Sequence, residues 1–170
     1  RITVCVAVVR CECRTMCEPP AREPGIHLIF PAPDTNFFVK ADRTRVKQVL
    51  LNLLSNAIKY NRDEGTVEVC CNRVAPERIR ISIKDTGPGL PPEKLAQLFQ
   101  QFNRLGQETG SVEGTGIGLV VSKQLVELMG GSIGVESTVG MGSIFWFELI
   151  SDDAPQLTGR EDIEAPATKV

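Results

Sequence analysis

The sequence has no apolar run long enough to cross a bilayer, and its N-terminus lacks the pattern of a signal peptide. It also has no block of lysine or arginine, because 19 basic and 21 acidic residues are interspersed along its 170 positions and leave a formal charge of -2. These absences argue against a membrane segment and against a nucleic-acid-binding surface. Any site for an anion must therefore be local.

Histidine is scarce too, with one in the chain, at position 27. Cysteine is not scarce: six occur, and Cys11, Cys13 and Cys17 lie close enough in sequence to suggest a metal cluster. No histidine or second CxxC pair accompanies them, and Cys13 and Cys17 are also spaced like two core positions of one helix. We therefore expect buried thiols in preference to a metal site.

What is present is an ordinary globular composition, 42% hydrophobic and 24% charged, in which helical and strand patterns alternate. This alternation predicts an α/β fold, a two-layer sandwich of one mixed β-sheet covered on one face by helices. We expect residues 1–150 to form the domain and residues 151–170, acidic and proline-containing, to be a tail or linker. Strands are predicted at residues 27–31, 37–41, 66–74, 78–85, 131–137 and 142–150, and helices over residues 4–18, from residue 43 to about 61, and after residues 91 and 113.

The strongest helical pattern follows Asp42, a predicted N-cap, and carries a polar edge beside an apolar stripe. On that edge Asn52, Asn56 and Lys59 recur at i, i+4 and i+7. A solvated face would explain them. Alternatively, an asparagine amide oxygen supplies a hard ligand to Mg²⁺ and Lys59 adds positive charge for phosphates. The stripe consists of Val46, Val49, Leu50, Leu53, Leu54, Ala57 and Ile58.

Asp85 closes a predicted strand whose alternation turns it toward the core, on the same face as Ile81 and Ile83. An inward carboxylate is costly unless something hydrogen-bonds it. One explanation is that Asp85 caps the following turn. The alternative is that it accepts a hydrogen bond from a buried ligand donor, such as the amine of a purine, with Gly87 and Gly89 letting the backbone approach a flat ring.

A third polar feature is the stretch "EGTGIGL" at residues 113–119, in which glycines run directly into a helical pattern. A helix N-terminus exposes free N–H groups and the positive end of the helix dipole, which together bind phosphate. Alone, such a glycine pattern often marks only a turn. The polar loop before it, from about residue 103 to 113, suits a mobile lid.

Taken together and in this order, these features resemble the ATP-binding domain of sensor histidine kinases, within the gyrase, heat-shock 90, histidine kinase and MutL ATPase superfamily. The resemblance covers about residues 1–150 and implies the same sandwich fold, with ATP and Mg²⁺ as cofactors. The motifs that carry it are "NLLSNAIKY" for the N box, "DTGPGL" for the first glycine box, "LFQQFNRL" for the F box, "GTGIGL" for the second glycine box and "GMGSIFWFEL" for the last glycine turn and strand.

The resemblance also implies roles for individual residues. At the base end, Asp85 would receive the adenine amino group, Tyr60 would pack against the ring, and Ser143 would lie beside it, with Gly87, Gly89 and Leu90 completing the pocket. At the phosphate end, Asn56 would bind Mg²⁺, Asn52 would lie near metal or phosphate, and Lys59 would contact phosphate. The remaining implied ATP contacts are Arg104, Gly114, Thr115, Gly116, Ile117, Gly118 and Leu119.

The residue at position 52 helps to distinguish ATP hydrolysis from phosphoryl transfer. Members of the superfamily that hydrolyse ATP carry a glutamate four residues before the metal-binding asparagine, whereas Asn52 cannot remove a proton. A histidine nucleophile needs no strong base from this domain. We therefore expect transfer of the γ-phosphoryl group to histidine. The alternative is a non-catalytic module in which ATP binding only changes a partner contact.

The resemblance implies partners as well. His27 lacks the acidic neighbour and downstream proline of a phosphoacceptor helix, so we expect the acceptor on a histidine-bearing dimerisation domain outside this chain. A response regulator receiver domain is the second expected partner. The resemblance further implies the cytoplasmic portion of a parent kinase, with no membrane contact by this fragment.

Overall fold

The computed structural model describes residues 2–32, 35–96, 98 and 115–153. None of the helices in these ranges is both long and apolar enough to cross a membrane. The strands are β1 (Ile2–Cys5), β2 (His27–Ile29), β3 (Phe38–Ala41), β4 (Thr66–Ala75), β5 (Arg78–Asp85), β6 (Ser132–Thr138) and β7 (Gly142–Asp152). The helices are α1 (Val6–Arg22), α2 (Arg43–Lys59), α3 (Pro92–Leu95) and α4 (Thr115–Leu128).

The strands form one mixed, seven-stranded sheet in the order β1-β3-β7-β5-β4-β2, and β6 pairs with β7 as well. The pair β2 and β4 is parallel, whereas the other pairs are antiparallel. Strand β7 joins the two halves of the sheet, because it pairs with β5 and β6 along most of its length and with β3 at its end. The predicted α/β sandwich is confirmed.

The core lies between this sheet and the helices. Ile79, Ile81 and Ile83 of β5 are fully buried on the helix-facing side, as strand alternation predicts. Helix α2 begins after Asp42, whose Oδ1 accepts a hydrogen bond from the backbone N–H of Arg45 at 3.2 Å, so the predicted N-cap is confirmed. Every residue of the predicted stripe of α2 is buried. The helix ends at Lys59, two residues before the predicted end.

The opposite face of the sheet carries half-buried polar and aromatic side chains. The guanidinium carbon of Arg80 lies 4.0 Å from the centre of the Trp146 ring, and Arg80 Nε donates to Glu148 Oε2 at 2.8 Å. A Cβ at position 134 would lie 2.3 Å from the Trp146 ring, so glycine there makes room for the indole. Because Phe145 and Phe147 face the core, Trp146 between them faces away from it.

The helix predicted over residues 4–18 is wrong at both ends. The chain first forms β1, which pairs with β3, and α1 then continues through Pro19 and Pro20. The two prolines are exposed, whereas Cys17 and Ala21, four positions apart, are buried. Burial of this core-facing side stabilises the helix beyond the two prolines, although neither proline has a backbone N–H to donate.

Two of the three clustered cysteines are buried thiols, as expected. Cys13 and Cys17 face the core, and burial raises the pKa of Cys13 to about 12 and that of Cys17 to about 11. Cys11 is exposed, contrary to expectation, because two positions along a helix turn a side chain by about 200°. Thiols this weakly acidic are packing groups of the core.

The C-terminal strand is longer than predicted. Strand β7 runs through Asp152, and Thr3 Oγ1 of β1 donates to Asp152 Oδ2 at 2.5 Å. Ser151 and Asp152 therefore belong to the sheet, although the sequence assigned them to the tail. Residues 154–170 lie outside the described part of the chain.

Candidate functional site

The polar edge of α2 comprises Asn52, Asn56, Lys59 and Tyr60. Asn52 and Asn56 are half-buried, and Lys59 and Tyr60 are exposed. The Lys59 ammonium lies 5.4 Å from the centre of the Tyr60 ring, a cation–π distance. At 1.5 Å per residue, the eight steps from Asn52 to Tyr60 separate the two ends of the edge by about 12 Å.

Asn56 is the residue of this edge with an unmet polar group. Its Nδ2 is buried and has no hydrogen-bond partner among the described residues. An unsatisfied buried amide costs about 1–3 kcal/mol. Such a group at the middle of a polar edge indicates a binding position, because a ligand would supply the missing acceptor.

The Asn52 side chain hydrogen-bonds to a second helix, α4. Its Nδ2 donates to the backbone oxygen of Gly118 at 2.6 Å and to Ser122 Oγ at 2.7 Å, both on α4. A Cβ at position 118 would lie 2.8 Å from Asn52 Oδ1, so the glycine allows the two helices to approach. Any role of Asn52 at a metal or phosphate would therefore use its oxygen.

Asp85 lies at the end of β5 and is 8% exposed, which confirms its predicted inward direction. Its Oδ1 accepts hydrogen bonds from the backbone N–H of Gly87 at 2.9 Å and of Ser143 at 3.2 Å. Desolvation by burial raises the pKa of the carboxyl group, and these two hydrogen bonds partly oppose that effect. Capping of the local turn explains the Gly87 bond but not the burial or the bond from β7.

The glycines after Asp85 make room for the protein's own backbone. A Cβ at Gly87 would lie 2.5 Å from the carbonyl oxygen of Tyr60, and one at Gly89 would lie 2.2 Å from that of Thr138. Gly89 also has a φ of +76°. These contacts within the protein are by themselves a reason for glycine at both positions. The approach of a flat ring stays a prediction.

Ser143 is buried and connects β7 to the turn after Asp85. Its hydroxyl lies 2.7 Å from Ser137 Oγ, which accepts a hydrogen bond from the backbone N–H of Leu90 at 2.7 Å. The Leu90 side chain packs against the core. Three predicted site residues, Asp85, Leu90 and Ser143, are thus held in one hydrogen-bonded group.

Sequence reasoning missed the residues that follow α2. Asn61 Nδ2 donates to the backbone oxygen of Thr66 at 2.9 Å, and its Oδ1 accepts from Thr86 Oγ1 at 3.0 Å. Arg62 Nε donates to the backbone oxygen of Thr86 at 2.5 Å. The sequence offered one signal for these residues, their position: Asn61 and Arg62 come just after Tyr60, and Thr86 comes just after Asp85.

The helix predicted after the glycine stretch is confirmed as α4, which begins at Thr115. Thr115, Gly116 and Ile117 form the start of its backbone, and Leu119 is buried. Arg104, Gly114 and the predicted lid over residues 103–113 lie outside the described residues.

These contacts place three structural elements around one polar edge. Gly118 of α4 meets α2 at Asn52, and the turn after Asp85 meets the end of α2 at Tyr60. Asn56, with its unmet amide, lies between those two ends. A helix N-terminus suited to anions and a buried carboxylate suited to a hydrogen-bond donor are thus joined by an amide-bearing helix.

Comparison with known families agrees with this arrangement. Residues 41–153 match the family described as Histidine kinase-, DNA gyrase B-, and HSP90-like ATPase. The chain belongs to this family. The resemblance to the ATP-binding domain of histidine kinases is therefore confirmed, and α2, the Asp85 turn and α4 all lie within the matched residues.

Individual relatives of this ATPase-family chain are sensor kinases. The sensor histidine kinase AruS of Pseudomonas aeruginosa is 43% identical over 141 residues, which cover 79% of this chain and 14% of AruS. The adaptive-response sensory kinase SasA of Prochlorococcus marinus is 43% identical over 123 residues, which cover 72% of this chain and 32% of SasA. The chain thus corresponds to a small part of each.

Solved structures of histidine kinases share the fold. The catalytic domain of ThkA superposes with a TM-score of 0.76 at 29% identity, covering 88% of this chain and 94% of that domain. Full-length ShkA in complex with AMPPNP superposes with a TM-score of 0.76 at 30% identity, covering 91% of this chain and 32% of ShkA. The fold of this chain is therefore that of a histidine kinase catalytic domain.

Proposed function

We propose that this chain is the catalytic and ATP-binding domain of a two-component sensor histidine kinase. In this proposal the domain transfers the γ-phosphoryl group of ATP to a histidine on a dimerisation domain of the parent kinase. The observation that carries the proposal is the polar edge of α2, which extends from the N-terminal part of α4 to the turn after Asp85 and bears an unmet amide at Asn56.

At the base end, Asp85 would accept a hydrogen bond from the amino group of adenine. Guanine presents a carbonyl oxygen at the equivalent ring position, which a carboxylate repels. Tyr60 would pack against the ring, with Gly87, Gly89, Leu90 and Ser143 forming the rest of the pocket. The two amides bound to Asp85 Oδ1 fix the orientation of the carboxyl group, which supports selection of one base.

At the phosphate end, the first turn of α4 would supply backbone N–H groups and the positive end of the helix dipole. This phosphate-binding turn would consist of Gly114, Thr115, Gly116, Ile117, Gly118 and Leu119. Arg104 would approach the phosphates from the predicted lid. Lys59 would add a positive charge from α2. This assignment is supported by the direct contact between α4 and the polar edge at Asn52.

The residues present also fit a magnesium ion. An asparagine oxygen is a hard, neutral ligand of the type that Mg²⁺ accepts, and Asn56 Nδ2 would be left to donate to a phosphate oxygen. When bound, Mg²⁺ would supply positive charge that neutralises the phosphates. Asn56 would therefore hold both the metal and the phosphates, which explains why the protein leaves this amide unsatisfied.

The choice of phosphoryl transfer over hydrolysis is supported at Asn52. A carboxamide cannot act as a general base toward water, and its Nδ2 is already engaged with Gly118 and Ser122. An imidazole nucleophile requires alignment and charge neutralisation more than proton removal. In this proposal, Asn56 and Lys59 at this edge of α2 would supply those two functions.

The partners and location follow by analogy. The structure of ThkA in complex with the response regulator protein TrrA superposes on this chain with a TM-score of 0.69 at 26% identity. We propose a response regulator receiver domain as the downstream partner of the parent kinase. We also propose that the domain functions in the cytoplasm, where ATP is available, and that it binds no nucleic acid.

The test is a transfer assay with the dimerisation domain of the parent kinase, magnesium and ATP labelled on the γ-phosphate. Transfer of label to histidine is expected, whereas a dimerisation domain whose acceptor histidine is replaced by glutamine should remain unlabelled. The Asn56→Ala variant of this chain should lose transfer while keeping its far-ultraviolet circular dichroism spectrum. Tight ATP binding without transfer would instead support the non-catalytic module.

A further inference from the structure

Two turns meet beside Asp85. The turn of residues 86–89 follows β5, and the turn of residues 139–141 connects β6 to β7. The backbone N–H of Gly140 donates to the carbonyl oxygen of Pro88 at 2.7 Å. A Cβ at Gly142 would lie 2.1 Å from the carbonyl oxygen of Asp85. The second turn therefore lies directly on the first and on the end of β5.

Arg62 bridges these two turns from the loop after α2. Its Nε donates to the backbone oxygen of Thr86 at 2.5 Å, and its Nη2 lies 3.3 Å from the backbone oxygen of Gly87 and 3.4 Å from that of Gly140. All three acceptors are peptide carbonyl groups. The planar guanidinium presents several donors in a fixed fork, which a lysine ammonium does not reproduce.

We propose that Arg62 is a positioning residue that fastens the turn of residues 139–141 to the turn of residues 86–89 and thereby strengthens adenine nucleotide binding. This role rests on the proposed function. The peptide that joins Thr86 and Gly87 accepts the bond from Arg62 Nε and donates, through the Gly87 N–H, to Asp85 Oδ1. Arg62 therefore acts on the carboxyl group of Asp85 through one peptide plane.

Two competing roles for Arg62 would give different results. A cation just beyond the C-terminus of α2 would stabilise the helix through its dipole, and its loss would then lower the stability of the chain without a specific effect on nucleotide. A direct phosphate contact would affect ATP more than ADP. If Arg62 fastens the two turns, its loss would weaken ATP and ADP binding equally, because both nucleotides share the adenine group.

The first arm of the test needs no nucleotide. Hydrogen exchange of the Gly140 amide, followed by NMR, is expected to accelerate in Arg62→Gln because the turn of residues 139–141 loses one of its two attachments. The matched control is Arg45→Gln, which removes the same charge from an exposed position near the start of α2. Unchanged exchange at Gly140 would overturn the proposal.

The second arm measures binding of ADP and of AMPPNP, with magnesium, by calorimetry. Arg62→Gln is expected to weaken both by about fivefold, and Arg62→Lys to recover less than half of this loss. Arg45→Gln should bind both nucleotides like the unchanged chain.

Equal affinity in Arg62→Gln and the unchanged chain would overturn the inference, as would loss of AMPPNP binding with ADP binding retained. A melting temperature lowered in Arg62→Gln, with nucleotide affinity and Gly140 exchange both unchanged, would assign Arg62 to general stability and also overturn the inference. If the unchanged chain bound neither nucleotide, the proposed function would fail first, and the exchange arm would still report whether Arg62 holds the two turns together.

Discussion

The carboxyl group of Asp85 lies in the core layer, where two backbone amides hydrogen-bond one of its oxygens. Desolvation raises its pKa above 3.8, and the hydrogen bonds offset only part of that rise. Folding therefore favours the protonated form of this group. The contribution of the Asp85 carboxyl group to stability is fully present below its pKa in the unfolded chain. This contribution is lost as the pH rises through the raised pKa of the folded state.

Replacing Asp85 with asparagine should remove this pH dependence. Relative to the unchanged chain, the free energy of unfolding of Asp85→Asn is expected to increase as the pH rises from below 3.8 toward neutrality. Urea unfolding at a series of pH values measures the difference, with the exposed Asp63→Asn as the control for loss of charge. ATP affinity should fall by about tenfold or more. A difference that does not change with pH would contradict the assigned cause.

Single residues also show what the sequence could and could not reveal. Strand alternation placed Asp85 toward the core correctly, because the period of a strand is a local property. The reason for Gly87 and Gly89 was not accessible, since the atoms that exclude a Cβ there belong to Tyr60 and Thr138. Only the tertiary fold brings those carbonyl groups close.

At the scale of elements, three residues form the polar contact that the structure describes between α2 and α4. Asn52 donates to the Gly118 carbonyl and to Ser122 Oγ, and Ser122 is 1% exposed. The missing Cβ of Gly118 leaves space for the Asn52 amide. This contact holds the N-terminal part of α4 against the end of the polar edge that we propose to bind phosphate.

The Gly118→Ala variant tests this contact. Helix propensity alone would favour alanine by about 1 kcal/mol, but the new Cβ would displace the Asn52 amide and cost about 1–3 kcal/mol. We therefore expect a net loss of stability in urea unfolding. In a double-mutant cycle, Asn52→Ala should relieve this loss, with a coupling energy of about 1 kcal/mol. Additive effects would show that the two residues do not oppose each other.

The helices differ in how far the sequence predicted them. For α2 the N-cap at Asp42 and the complete buried stripe were predicted, because capping and helical periodicity are local. For α1 the start was missed, since Cys5 belongs to a strand whose partner, opposite Phe38, is distant in sequence. Its end was missed because burial of Ala21 outweighs the two prolines before it.

At the scale of the whole molecule, the site is assembled from distant stretches of chain. Residues 52–60 contact the turn after Asp85 at Gly87 and contact α4 at Gly118, and Asp85 contacts the start of β7. These contacts form because β5 and β7 are neighbours in the sheet and α2 and α4 pack on it. A ligand that contacts several of these stretches can bind only the folded state of the chain, because unfolding separates them. Its binding must then stabilise the fold as a whole.

Saturating AMPPNP with magnesium should therefore raise the melting temperature. At about 100 times the dissociation constant, the expected rise is about 5–10 °C for a chain of this size. Removal of magnesium by EDTA should abolish most of the rise, and Asn56→Ala should show little rise with magnesium present. A GTP analogue is the control for the base. The same rise with and without magnesium would contradict the role given to Asn56.

The chain has one tryptophan and one tyrosine, and they lie in different environments. Trp146 stacks on Arg80, on the side of the sheet that faces away from Asp85. Tyr60 directly follows α2, and its carbonyl oxygen approaches Gly87. The two intrinsic fluorophores are therefore separated by the sheet: indole emission reports the integrity of the strands, and phenol emission reports the junction between α2 and the turn after Asp85.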